Sequence, residues 1–314
     1  MTQSAVFVGI DCGKDCLDVA LYPTGQCRRV DNTEAGRRAL ITWLSGHAVA
    51  LVGIEASGGY ERAVRDALEA ATIAVAVLDP ARVRHFAKAK GERAKTDRLD
   101  AALIAEFTAR FLPPATPADR EREQLAGLLG MRRLLVDKRA DLRKSLGRLA
   151  EDLQALAAPA LEALDEAVER VEAELARRTR AAAALAKTVK ALRSAPGVGA
   201  LTALTVAVRM PELGRLSGAQ AAALLGVAPY PDDSGRRHGP RRIAGGRGDV
   251  RQALYMAALG AATRARTGVL AEFYAQLIKR GKPPKVALTA CMRKLIVRLN
   301  AMLATGQEWV EKAG

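Results

Sequence analysis

The stretch Ala5-Val6-Phe7-Val8-Gly9-Ile10-Asp11 decides the reading of the amino-terminal third: an apolar run too short for a helix that closes on a carboxylate. Bounded by a turn from Cys12 to Cys16, it reads as a strand, and Leu17–Tyr22 (LDVALY) as the next. A third covers Gln26–Val30. Thr33–His47 has helical spacing, and Val49–Ile54 (VALVGI) is a continuous apolar run that suits a buried strand and ends at Glu55. A helix over Tyr60–Ala71, a strand over Ile73–Leu78 closed by Asp79-Pro80, and a helix holding Asp97 and Asp100 follow.

Three strands and then alternating helices and strands give an α/β unit in the ribonuclease H or RuvC-like order. In an open α/β sheet the ligand crevice lies at the carboxyl ends of the strands, where Asp11 and Glu55 sit. Asp97 and Asp100 are spaced i, i+3, so one helical face presents both. Four carboxylates on one crevice repel unless divalent ions neutralise them, and an all-oxygen set suits Mg²⁺ or Mn²⁺ rather than zinc. Two such ions about 4 Å apart would hold the entering and leaving oxygens of a phosphodiester displacement. Singly, each acid also reads as a cap, a surface charge or a turn former, as Asp15, Asp18 and Asp31 do.

The segment Leu112-Pro113-Pro114-Ala115-Thr116-Pro117 cannot continue a helix, so a first domain is drawn over residues 1–112. A helical region over 113–193 follows. Leu142, Leu146, Leu149, Leu153 and Leu156 recur at 4, 3, 4, 3, and after Pro159 a second seam runs through Leu161, Leu164, Val168, Val171 and Leu175. The short break predicts an antiparallel coiled-coil hairpin, with a plain helical spacer as the other reading. The third region, 194–314, opens with Pro196-Gly197-Val198-Gly199 before a small-residue helix. Its two glycines, Gly197 and Gly199, are either a phosphate grip of the helix-hairpin-helix kind or an ordinary tight turn. The carboxy-terminal region is therefore expected to be mostly helical.

Composition narrows the partners. The chain has 314 residues, room for two domains, with 49% hydrophobic and 26% charged residues, as in a folded soluble protein. It has neither an apolar run of about 18 residues nor a signal-peptide pattern, which excludes membrane and secretory classes and predicts a cytoplasmic, nucleoid-associated protein. Cys12, Cys16, Cys27 and Cys291 lack CxxC spacing, so neither a zinc site nor a disulfide framework is expected. The net charge is +15, and residues 194–314 hold 18 basic and 7 acidic residues, so the phosphate-seeking charge lies in the last third.

Within it, Asp233-Ser234-Gly235 is followed by Arg236, Arg237, His238, Arg241, Arg242, Arg247 and Arg251. Guanidinium forks grip phosphate in pairs of hydrogen bonds, and a serine in that field is either a nucleophile or a simple turn residue. Residues 276–298 add seven basic residues and no acid, among them Lys282, Lys285, Arg293 and Lys294. Aromatic residues are only 4%, which argues against a single-strand binder built on stacked bases.

These motifs, taken in order, resemble the DEDD-type transposases and recombinases of bacterial insertion sequences, relatives of the Piv DNA invertases. The marks are Gly9-Ile10-Asp11, Ile54-Glu55-Ala56-Ser57-Gly58-Gly59-Tyr60, Lys95-Thr96-Asp97-Arg98-Leu99-Asp100-Ala101, Gly226-Val227-Ala228-Pro229, Asp233-Ser234-Gly235, Gly245-Gly246-Arg247 and Gly281-Lys282-Pro283. The resemblance implies that Asp11, Glu55, Asp97 and Asp100 form the metal-binding tetrad of a RuvC-like domain. It implies that Ser234 attacks donor and target DNA to form a phosphoserine, that a non-coding bridge RNA guides the enzyme, and that a homo-oligomer, a dimer or tetramer, shares its sites. Pro240 before Arg241 and Arg266-Thr267-Gly268 depart from the family pattern without touching those five positions. The competing readings are a RuvC-like structure-specific nuclease with no covalent step and a non-enzymatic DNA-binding architectural protein.

Overall fold

The computed structural model describes residues 5–91, 97–230, 233–234, 237–239, 241–264 and 267–310. They fall into two compact units, 1–119 and 120–314. The first unit is built on β1 (Val6–Cys12), β2 (Cys16–Tyr22), β3 (Cys27–Asp31), α1 (Glu34–Leu44), β4 (Val49–Glu55), α2 (Glu61–Ala70), β5 (Val75–Leu78), α3 (Pro80–Lys90) and α4 (Asp97–Phe111). The sheet order is β3-β2-β1-β4-β5, with β1, β2 and β3 antiparallel and β1, β4 and β5 parallel. This is the ribonuclease H-like arrangement expected from the sequence. Asp79-Pro80 opens a helix, α3, where the sequence reading only closed a strand: the Asp79 carboxylate accepts from Ala81 N at 2.8 Å and Pro80 sits in the first turn, where its missing N–H costs nothing.

Side-chain alternation sorts the sheet into two faces. Val8, Ile10, Val52, Ile54 and Val75 pack with Leu40 and Leu44 of α1 and Val64 and Leu68 of α2. Leu51, Ala76 and Leu78 face the other way, against Val83 of α3 and Leu103, Ile104 and Phe107 of α4. Here α4 lies almost on the backbone of the sheet. A Cβ on Gly9 would come within 2.2 Å of Ala101 O and Ala105 N, and one on Gly53 within 1.9 Å of Thr108 Oγ1. Ala101 and Ala105 are buried against Ala20 in the same contact. The proline-rich segment stays with this unit: Thr116 N donates to Val75 O at 2.8 Å, and Val77 N donates to Thr116 Oγ1 at 2.7 Å.

The second unit begins with α5 (Arg120–Leu146), α6 (Glu151–Leu156) and α7 (Ala158–Ala181). The hairpin is present between α5 and α7, but its first seam differs from the expected one. The helix breaks after Leu146, and Leu149, Leu153 and Leu156 are exposed. The turned-in side of α5 instead carries Leu125, Leu128, Arg132, Leu135, Arg139, Leu142 and Leu146, at alternating spacings of three and four. Two of those positions are arginines, which hides the repeat from a hydrophobic reading. They pair across the hairpin, Arg132 with Glu172 at 2.6 Å and Arg139 with Asp165, and Arg143 joins Asp165 at 2.9 Å.

Then come α8 (Ala183–Arg193), α9 (Ala200–Arg209), α10 (Gly218–Leu225), the short strands β6 (Pro229–Tyr230), β7 (Asp233–Ser234), β8 (Arg237–His238) and β9 (Arg242–Ile243), α11 (Gly248–Leu259) continued by a π-turn (Gly260–Arg264), α12 (Val269–Lys279) and α13 (Pro284–Thr305). The helices enclose one core that runs from Leu125 and Leu129 through Leu192, Val206 and Leu254 to Leu295 and Leu299. Among the described residues no helix is long and apolar enough to cross a membrane.

The close seat of α4 gives the first prediction. Gly9→Ala should destabilise the protein by about 1–3 kcal/mol, the cost of forcing atoms into a filled contact. A urea midpoint equal to that of the parent would show that α4 does not lie on β1 as described.

Candidate active site

Parallel pairing of β1 with β4 matches Gly9 to Gly53 and Ile10 to Ile54. Asp11 and Glu55 therefore follow side by side at the carboxyl ends of adjacent strands. They share the parity of Gly9 and Gly53 and so belong to the face that α4 covers. Asp100 immediately precedes Ala101, the residue whose carbonyl meets Gly9, which brings the first turn of α4 to that end of β1. Asp11, Glu55 and Asp100 are each half-buried. Asp97 opens α4 and is described by its backbone. Among the described residues no three His, Cys, Asp or Glu groups close on a metal-sized point, and the tetrad as a whole lies partly outside that set. Its donors are carboxylates throughout, which fits a hard divalent cation.

Neighbouring acids are already committed. Asp18, paired with Asp11 in the β1–β2 register, receives Arg29 Nε at 2.9 Å and Nη2 at 2.6 Å. Glu61, which sequence reasoning passed over, is 8% exposed and shapes the loop after Glu55. Its Oε2 accepts from Ser57 N at 3.1 Å, Ser57 Oγ at 2.8 Å and Gly59 N at 2.8 Å. Burial raises its pKa, and the hydrogen bonds from the loop outweigh that, so the carboxyl ionises below its ordinary value. Gly58 and Gly59 have φ of 76° and 125°, which only glycine adopts readily in so tight a loop. Burial pushes the Cys12 thiol well above its ordinary pKa and the Cys291 thiol up to about 11, so both are inert core residues.

Ser234 lies in the second unit, on a β arm. Pro229 and Tyr230 pair with Ile243 and Arg242, and Asp233 and Ser234 with His238 and Arg237. Ser234 is thus the last paired residue before residues 235–236, which, Arg236 included, lie outside the described residues; Arg237 is described by its backbone. At the base of the arm two backbone segments cross in contact. A Cβ on Gly226 would lie 2.3 Å from Gly245 O, and one on Gly246 would lie 2.3 Å from Gly226 N, with φ of 79° and 72°. Arg247 holds Glu212 through two hydrogen bonds, at 2.8 and 2.7 Å, and also donates to the Arg209 carbonyl. Arg251 donates to the carbonyls of Leu225 and Gly245. These two guanidiniums brace the arm from inside.

The remaining basic positions divide by exposure. Arg241, Arg242, Lys282, Lys285 and Arg293 are exposed. Lys294 is half-buried, with Nζ 4.5 Å from the centre of the Phe273 ring, a cation–π contact. Gly197, at φ 76°, sits where a Cβ would be 2.2 Å from Ala257 O, so close packing accounts for it; Gly199 caps α9 beside open space.

A family model described as a transposase of the DEDD type in IS110 elements matches residues 8–156, and one described as "Transposase IS116/IS110/IS902 family" matches residues 189–275. The chain carries both domains of an IS110-family transposase. It is a DNA transposase/recombinase enzyme. It is 24% identical over 311 residues to the pilin gene-inverting protein of Moraxella bovis, covering 96% of each chain, and equally to that of Moraxella lacunata. Among solved structures it is similar to Thermus thermophilus RuvC in complex with a Holliday junction substrate. That match has 18% identity and a TM-score of 0.29, over 37% of this chain and all of the other.

The Glu212–Arg247 clamp has a pH signature. Burial raises the Glu212 carboxyl, and hydrogen bonding and charge from Arg247 more than reverse it, leaving a lowered pKa. A lowered carboxyl stabilises the fold above its unfolded pKa of about 4.3 and loses that contribution as pH falls through the folded value. The Glu212 side chain is 41% exposed, so the effect is small, under about 1 kcal/mol. Glu212→Gln should lower the urea midpoint at pH 7 and leave it unchanged at pH 3; an equal loss at both would remove the ionic clamp from the account.

Proposed function

We propose that this transposase cuts and rejoins double-stranded donor and target DNA through a phosphoserine at Ser234. Asp11, Glu55, Asp97 and Asp100 hold Mg²⁺ or Mn²⁺ in the ribonuclease H-like unit. The observation that carries the reading is the pairing of β1 with β4: it sets Asp11 beside Glu55 at two strand ends, on the face where α4 brings in Asp100. The names of the Moraxella relatives support it, since inverting a gene segment requires breaking and resealing DNA.

In the step proposed, Ser234 Oγ gives its proton to solvent water and bonds to the scissile phosphorus, and solvent returns a proton to the oxygen that departs. The bond from phosphorus to one deoxyribose oxygen breaks, and that oxygen leaves as a hydroxyl once protonated. A free strand hydroxyl later attacks the phosphoserine, releases Ser234 and restores a phosphodiester. The bound cation supplies charge neutralisation for the phosphate oxygens. The four carboxylates position it, Arg237, Arg241 and Arg242 draw the phosphate to the arm, and the arm base holds Ser234 at the end of a short braced lever. Lys282, just before α13, and Lys285, Arg293 and Lys294 on it extend the phosphate-binding surface. In a homo-oligomer, a dimer or tetramer, Ser234 of one copy serves the carboxylates of another. A non-coding bridge RNA supplies sequence selection by base pairing, consistent with a protein whose basic surface is built for backbone contact.

Trapping tests the reading. With a nicked suicide duplex the parent should form a covalent protein–DNA adduct and Ser234→Ala none. Asp11→Asn and Glu55→Gln should slow adduct formation on the order of 10²-fold or more while retaining DNA binding. Cleavage by Ser234→Ala without an adduct would replace the proposal with a metal-dependent nuclease. Sequencing of RNA recovered with the purified protein tests guidance: a single defined non-coding transcript is expected, and its absence would remove the RNA.

A further inference from the structure

The loops that follow Asp11 and Glu55 are tied together by one side chain outside both. Asn32 directly follows β3, and its Nδ2 donates to Gly13 O at 3.1 Å and to Tyr60 O at 3.3 Å. Gly13 lies two residues beyond Asp11, and Tyr60 closes the loop that starts at Glu55. An amide nitrogen has two hydrogens, and each goes to one loop. Its Oδ1 accepts from Arg37 Nη1 at 3.0 Å, and the same Nη1 reaches the Asn32 carbonyl at 3.0 Å, so the amide is locked in one orientation. The backbone N–H of Asn32 donates to Asp15 O at 2.9 Å, fixing the β1–β2 loop a second time. On the far side of the other loop, Glu61 Oε2 gathers the Ser57 and Gly59 amides, so that loop is held at both ends.

From this geometry we infer that Asn32 is a positioning residue for the metal-binding carboxylates: its amide cross-links the Asp11 and Glu55 loops and fixes the separation of the two acids before the cation arrives. The inference rests on the reading of Asp11 and Glu55 as metal ligands. Carboxylates that share a cation gain from a separation fixed before it binds, because they need not be drawn together against their mutual repulsion. A neutral amide that donates once to each side holds them together without adding charge to the crevice. An aspartate at this position has the same shape and the opposite effect, because a carboxylate repels both carbonyls. Groups that orient metal ligands from outside are typically worth about 10- to 100-fold in metal affinity.

The test titrates Mn²⁺ into the full-length protein and counts free ion by electron paramagnetic resonance, alongside thermal unfolding and Mn²⁺-dependent cleavage of the suicide duplex. Asn32→Asp and Asn32→Ala should weaken Mn²⁺ binding about tenfold or more, with the aspartate worse, and excess Mn²⁺ should restore the cleavage rate. Arg37→Ala leaves Asn32 in place without its lock and should give a smaller loss in the same direction. Should the Asn32 variants fail to fold, Arg37→Ala decides alone. Unchanged Mn²⁺ affinity in the folded variants would overturn the inference. Should Asp11→Asn and Glu55→Gln bind Mn²⁺ as the parent does, the assignment of the carboxylates fails instead, whatever Asn32 does.

Discussion

The amino-terminal unit depends on how closely a helix can approach a sheet. Gly9 and Gly53 remove side chains from β1 and β4 where Ala101, Ala105 and Thr108 of α4 come down on them. Those two glycines stand two residues before Asp11 and two before Glu55, on the same face. The absence of side chains that lets α4 settle is therefore what brings the start of that helix, with Asp97 and Asp100, to the strand ends. Packing and chemistry are one constraint here. A bulkier residue at either glycine would lift α4 and carry Asp100 away from the ends of β1 and β4.

The second unit solves a different problem, holding a serine at the end of a two-stranded arm. Short isolated ribbons are marginal in water, so the base must be fixed by something other than the arm itself. Gly226 and Gly246 cross with no room for side chains, and Arg247 and Arg251 bind the carbonyls and the carboxylate around the crossing. The arginines of this region thus divide into two kinds. Those past the crossing on the α11 side hold the protein together, and Arg241 and Arg242 are exposed to solvent.

Much of this was legible in the residues. Apolar runs ending in acids gave the strands and their order, because alternation and length distinguish strand from helix. Asp11 and Glu55 were legible as crevice residues because each ends an apolar strand; that the two strands are parallel neighbours is shown by the pairing of β1 with β4. What stayed hidden had physical reasons. The α5 seam carries Arg132 and Arg139 at inward positions, so leucine spacing alone reaches only its end, Leu142 and Leu146, and continues into Leu149, Leu153 and Leu156, which are exposed beyond the helix break at Gly147. Arg247 and Arg251 looked like phosphate ligands because composition cannot show an internal partner. Asn32 and Glu61 carry no signature at all: a lone amide and a loop acid become informative only when the atoms they touch are known. The serine motif was plain in sequence, whereas the arm that carries it, made of two-residue strands, was not.

The central claim is that Asp11, Glu55 and Asp100, with Asp97, hold one divalent-cation site. The most direct measurement is an anomalous difference map from crystals of the full-length protein grown with Mn²⁺. The account predicts a peak at the carboxyl ends of β1 and β4, within coordination distance of Asp11 and Glu55 and bounded by the first turn of α4. A map with no peak there, or with Mn²⁺ held by other residues while these carboxylates point apart, would contradict it.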